Sequence, residues 1–165
     1  MHISQRSIRQ WFLLALAIVG AGVAIYLTTV HYEQVPLLCS SQGLVNCERV
    51  TSSSYSVVPG TTLPITIPGL FWFAVSGVLA FLAIRSNRRW IRQAQLVWTI
   101  LGTLTVLYLV YVELVILHTI CIWCTAVHLV IFGSLLLAIT EYMLFRQNEE
   151  QEAGEEESAL VAPPH

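Results

Sequence analysis

Four cysteines carry the redox chemistry open to this 165-residue sequence: Cys39, Cys47, Cys121 and Cys124. Cys121-Ile122-Trp123-Cys124 is a CxxC. Two thiols at this spacing close a disulfide, and such motifs commonly hold a thiol of depressed pKa, so that a nucleophilic thiolate is populated. A disulfide across one helical turn closes almost no loop and stabilises the chain little, so the spacing makes sense mainly for redox turnover. Cys39 and Cys47 differ in character, being joined by a polar connection that includes Gly43. Asn46 is placed to cap a short helix running to about residue 51, with Cys47 in its first turn. An exposed pair of this kind suits exchange with a second protein. The structural alternatives are two inert staples or a four-cysteine zinc site. Zinc conflicts with having one pair at the mouth of an apolar helix on an oxidising side, so no metal is expected.

The elements that must position these thiols are membrane spans. The chain is 56% hydrophobic and only 11% charged, whereas soluble domains carry about 25% charged residues. Four apolar runs, at about 11–30, 67–84, 96–116 and 120–145, approach the roughly 20 residues that cross a hydrocarbon core. Each must satisfy its own backbone hydrogen bonds in lipid, which makes it a helix. All eight basic residues are Arg. Arg6 and Arg9 precede the first run, Arg85, Arg88, Arg89 and Arg92 separate the second and third, Arg146 follows the fourth, and only Arg49 lies in the loop after the first. The positive-inside rule therefore puts both termini and the 85–95 connection in the cytoplasm. The 31–66 loop and a short 117–119 turn face outward, and with them all four cysteines, on a side where disulfides persist. Residues 1–30 also fit a secretory leader, but the apolar run is long for one. Six of the ten acids lie in the last 17 residues, so 147–165 reads as a disordered acidic cytoplasmic tail ending near Pro163-Pro164. No basic cluster with interleaved aromatics is present, which sets nucleic acid aside.

With the spans in place, the stretch Cys39…Cys47-Glu-Arg-Val-Thr-Ser-Ser53-Ser-Tyr55-Ser56 resembles the first-loop signature of vitamin K epoxide reductase (VKOR) homologues. So does Tyr108-Leu-Val-Tyr111-Val-Glu113-Leu…Cys121-Ile-Trp123-Cys124. The spaced pair precedes the CxxC, an order that is similar to VKOR and not to DsbB-type proteins. The resemblance implies an all-α integral membrane fold, a four-transmembrane-helix bundle over 11–146 with a short helix in the first outer loop and a ten-residue cytoplasmic N-terminus. It implies that Cys121 and Cys124 are the active-site pair, with Cys124 nearer the quinone, and that Cys39 and Cys47 shuttle electrons from a partner. Ser53 would correspond to a serine or threonine near the catalytic pair. His128 stands where vertebrate relatives have tyrosine, and the 59–68 segment is longer than the usual link into the second span. The electron acceptor implied is a membrane quinone: menaquinone, ubiquinone or phylloquinone. Since no thioredoxin-like domain follows the fourth span here, a separate thioredoxin-like, DsbA-type partner is implied. The activity expected is a quinone-dependent thiol–disulfide oxidoreductase of a bacterial inner membrane, supporting disulfide formation in exported proteins. The alternative is a redox-inert scaffold stapled by structural disulfides.

Other polar and aromatic residues take a role on this reading. His128, one helical turn below Cys124, is placed to bond a quinone carbonyl or relay a proton, or else to bond within the bundle. Glu113, near the outer end of the third span, assists proton transfer or pins loop backbone. His118 reads as interfacial, and Glu141 as a solvated residue near the inner end of the fourth span. Phe71 and Trp72 either line a quinone pocket or serve as packing and belt residues. Trp11, Trp90 and Trp98 fit an inner aromatic belt, and Tyr108, Tyr111 and Trp123 fit the outer half.

Overall fold

The computed structural model describes residues 2–33, 39, 44–86 and 88–161, with side chains for 8–33, 39, 44–86 and 88–155. Gly43, Pro163 and Pro164 lie outside the described residues. Among these residues five α-helices follow one another: α1 His2–Glu33, α2 Cys47–Thr51, α3 Thr66–Arg85, α4 Arg89–Tyr111 and α5 Ile122–Val161. A 3-10 turn at Ser54–Ser56 follows α2, and a π-helical turn at Val112–Ile116 extends α4. No strand occurs among the described residues. Among the described residues, four helices are long and apolar enough to cross a membrane: Ile8–Glu33, Thr66–Arg85, Arg89–Ile116 and Ile122–Glu155.

The packing is that of a protein whose solvent is lipid. Large apolar side chains such as Ile18, Leu104, Leu129 and Leu136 point outward and are exposed. The interior joins Ala24, Phe73, Val106 and Ile131 into one cluster, together with small residues such as Ala17, Ala80 and Ala83. Lipid tails compete for any apolar surface, so association relies on close approach at small residues and on interhelical hydrogen bonds. A Cβ added at Gly77 of α3 would lie 3.7 Å from the Ala17 Cβ of α1, in ordinary van der Waals contact. Gly102 leaves room for the Trp72 ring, whose Cζ2 would lie 2.6 Å from an added Cβ. The same ring closes a reciprocal clasp. Trp72 Nε1 donates to the Trp98 carbonyl and Trp98 Nε1 donates to the Trp72 carbonyl, each at 3.1 Å.

Two expectations are corrected at the end of the bundle near Arg9. Glu141 is not solvated. It is 3% exposed and pairs with Arg9 of α1 and, at 2.7 Å, with Arg92 of α4. A carboxylate taken out of water must be paired, and three helices converge on this one. Within the segment from 147, read from sequence as disordered, α5 continues to Val161. Its sequence is rich in the helix formers Glu, Gln and Ala. Arg146 donates to Glu150 one turn on at 2.9 Å, and Arg89 lies 3.9 Å from Glu149.

At the opposite end, Asn46 caps α2 as its sequence position demands, accepting from the Arg49 N–H at 3.0 Å. The long 59–68 link folds onto itself. Val57 and Pro64 form a bridge, Val58 N–H donates to the Leu63 carbonyl at 2.8 Å, and Gly60 takes φ +79° at the tip. Pro68 falls in the first turn of α3, where a missing N–H leaves no helix bond unmade.

Candidate functional site

The CxxC is held at the start of α5. Cys121 stands just before the helix, and its Sγ accepts from the Cys124 N–H at 3.3 Å. This is an N-cap contact made by sulfur, directed at one of the N–H groups that a helix start leaves without partners. Cys121 is fully buried. Hydrogen bonding from the Cys124 thiol holds the Cys121 thiol below its ordinary pKa. Both cysteines of the motif are free thiols.

The chain reaches this point through an unusual turn. The π-helical turn admits one extra residue, and Val112 and Glu113 are both buried while Leu114, Val115 and Ile116 are exposed. Such turns recur at functional sites. The Leu117 N–H donates to the Val112 carbonyl and the Thr119 N–H to the Glu113 carbonyl, both at 2.9 Å. His118 takes φ +49°, a left-handed conformation uncommon outside glycine but enriched in histidine. The turn delivers Ile120 to the first loop. Ile120 N–H donates to the Leu44 carbonyl at 2.8 Å, and Asn46 N–H donates to the Ile120 carbonyl at 3.1 Å. This is a parallel bridge pairing Val45 with Ile120. Cys47 follows Val45 by two residues and Cys121 follows Ile120 by one, so backbone pairing brings the two cysteine pairs together.

Cys39 and Cys47 form a disulfide. Its two ends differ in access: Cys47 is 1% exposed, whereas Cys39 is half-buried.

A cavity of about 80 Å³ opens beside the CxxC. A lone water needs about 10–15 Å³, so the space suits a small ring better than a single solvent molecule. Its apolar walls include Leu27, Ile65, Leu109 and Val112, and its polar edge is Ser53, Tyr55, Glu113, Cys124 and His128. Cys124 thus faces the cavity, and Cys121 lies behind it. The Glu113 carboxyl accepts from the Cys121 backbone N–H and from the Cys124 thiol. Ser53 uses its hydroxyl proton on the Val50 carbonyl at 2.8 Å, leaving its oxygen as an acceptor.

Of the residues singled out from sequence, Ser53, Glu113, Cys124 and His128 share this cavity. Phe71 and Trp72 do not line it. Trp72 is turned into the α3–α4 clasp, and Phe71, 64% exposed, stacks edge-on against Trp98. Trp98 is therefore a packing residue as well. Trp123 packs on Tyr26, with ring centroids 5.0 Å apart. Sequence reasoning missed His31 and Thr66 as cavity residues. They end α1 and begin α3, and only the pairing of those two helix ends brings them to the CxxC.

A family model described as the vitamin K epoxide reductase family matches residues 11–139. No curated protein matches the sequence significantly.

Proposed function

The chain belongs to the vitamin K epoxide reductase family, and on that premise we propose that it reoxidises a thioredoxin-like, DsbA-type partner at the outer membrane face and passes the electrons to a membrane quinone. The observation that carries this reading is the asymmetry of the two cysteine pairs. One has a half-exposed end, the other has a thiol facing a cavity, and a backbone bridge joins them.

Electrons then run inward. A partner thiolate attacks Cys39, the accessible sulfur of the loop disulfide, and Cys47 leaves as a thiolate. Exchange proceeds through such mixed disulfides. Cys47 attacks Cys121 of the oxidised CxxC, which frees Cys124. The second partner thiol displaces Cys39, and Cys39 closes again on Cys47, releasing Cys121. The loop pair is now oxidised and the CxxC reduced, which is the arrangement in this structure. Cys124 gives up an electron pair to the quinone substrate, and Cys121 closes the disulfide. Two partner thiols become a disulfide and the quinone becomes a quinol. Tyr55 and His128 supply donors for the quinone oxygens against apolar walls. The arginine distribution supports both termini cytoplasmic, and the setting we propose is a bacterial inner membrane. The net outcome is oxidising power for disulfide formation in exported proteins.

The test uses protein purified in detergent, a reduced DsbA-type partner and a soluble quinone analogue, with quinone absorbance followed over time. Reduction is expected in the wild type and is abolished in Cys124→Ala. A wild type that leaves the quinone oxidised, beside a control enzyme that reduces it, removes the proposal.

A further inference from the structure

Within the thiol–quinone reading just proposed, the cavity holds one acid that the cysteine relay leaves unused. Glu113 is 6% exposed, lies near the end of a 28-residue apolar span, and its carboxyl contacts both the Cys121 N–H and the Cys124 thiol. A buried ionisable group in a membrane span is costly and is retained for function.

We infer that Glu113 is the proton carrier of the reaction, a catalytic residue that takes the proton from the Cys124 thiol and returns it to a quinone oxygen in the same cavity. The balance closes without an outside reagent. Two thiols lose two electrons and two protons, one S–S bond forms, and the quinone gains two O–H bonds. Glu113 moves the Cys124 proton as that sulfur gives up its electron pair. It moves the Cys121 proton as the disulfide closes, and ends each turnover as it began.

The surroundings favour this acid over its neighbours. The titratable groups on the cavity wall are His31 from α1, Tyr55 from the first loop, Glu113 from the end of α4, and Cys124 and His128 from α5, with Cys121 behind them. The first turn of α3 contributes Thr66 and no titratable group. Of the groups on the wall itself, Glu113 bonds the cavity-facing Cys124 thiol, which also bonds Cys121 behind it. The π-helical turn puts it there, since the extra residue turns Glu113 inward beside Val112.

A purely structural carboxylate that pins the Cys121 N–H predicts a different result from a proton carrier, and Glu113→Gln separates them. The amide oxygen still accepts from Cys121 but takes up no proton. In single turnovers of prereduced protein with a soluble quinone, E113Q is expected to slow quinone reduction on the order of 100-fold, the scale of general acid–base catalysis. Its KM for quinone is expected to stay within about threefold of wild type. Its rate should rise roughly tenfold per pH unit, following the free thiolate, where the wild type varies little between about pH 6 and 8. Glu113→Asp, which keeps a carboxylate, should be slower than wild type but retain the shallow pH profile. An E113Q rate within about threefold of wild type with an unchanged pH profile overturns the inference, and so does an E113D profile as steep as that of E113Q. Failure of the proposed function is seen separately, as a wild type that reduces no quinone.

Discussion

At the scale of single residues, the four cysteines divide by access rather than by motif. Cys39 is half-buried and Cys47 is buried, although both belong to one loop disulfide. Cys121 is buried and capped onto its own helix, while Cys124 faces the cavity. Each position predicts its own phenotype. Cys39→Ala and Cys47→Ala are expected to lose quinone reduction driven by a protein partner, yet to keep most of that driven by a small dithiol able to enter the cavity. Cys121→Ala and Cys124→Ala should lose both. Parallel assays with the two reductants check this, and equal loss of dithiol-driven activity in all four variants would contradict a two-stage relay.

Individual helices are adjusted to one another at glycines and at a tryptophan clasp. A Cβ on Gly20 would overlap the Phe73 ring, and one on Gly102 would press into Trp72. Overpacking of this kind costs about 1–3 kcal/mol. Gly102→Ala is therefore expected to lower the unfolding temperature in detergent by separating α3 from α4. A companion change, Trp72→Phe, should relieve part of the clash while losing the hydrogen bond to Trp98. Unfolding followed by thiol reactivity of Cys121 would report it, since that thiol is fully buried in the native protein. An unchanged transition in Gly102→Ala would mean that Trp72 shifts at no cost.

For the molecule as a whole, polar groups sit at both ends of an apolar bundle and do different work. One end holds Cys124, Glu113 and His128 around the cavity. The other ties α1, α4 and α5 through Arg9, Arg92 and Glu141, with a buried Gln95–Gln10 hydrogen bond at 3.0 Å beside them. Glu141→Gln leaves the Arg92 charge, 2% exposed, without its carboxylate. Breaking a buried pair by removing one partner costs about 3–5 kcal/mol, so a large fall in thermal stability is expected. Single-turnover chemistry at the far end should remain close to wild type. A variant that keeps its stability but loses quinone reduction would couple the two ends in a way the packing does not suggest.

Much of this protein is determined by sequence alone, for reasons local to the chain. Apolar runs of membrane length must be helices because lipid offers their backbone no partners. Asn46 before Cys47 caps α2 through its own side chain, and a CxxC at a helix start has free N–H groups beside it whatever surrounds the bundle. Tertiary structure decided what depends on which helices touch. Burial of Glu141 requires Arg9 and Arg92 to arrive from two other helices. Trp72 is drawn from the cavity because Gly102 opens a slot for its indole. The placement of the Cys47 backbone beside the CxxC rests on a bridge between Val45 and Ile120, 75 residues apart. The contact between Glu113 and Cys124 rests on a π-helical turn and a left-handed histidine. Neither has a signature in local propensity, because each is stable only once the loop and the helix ends have closed around it.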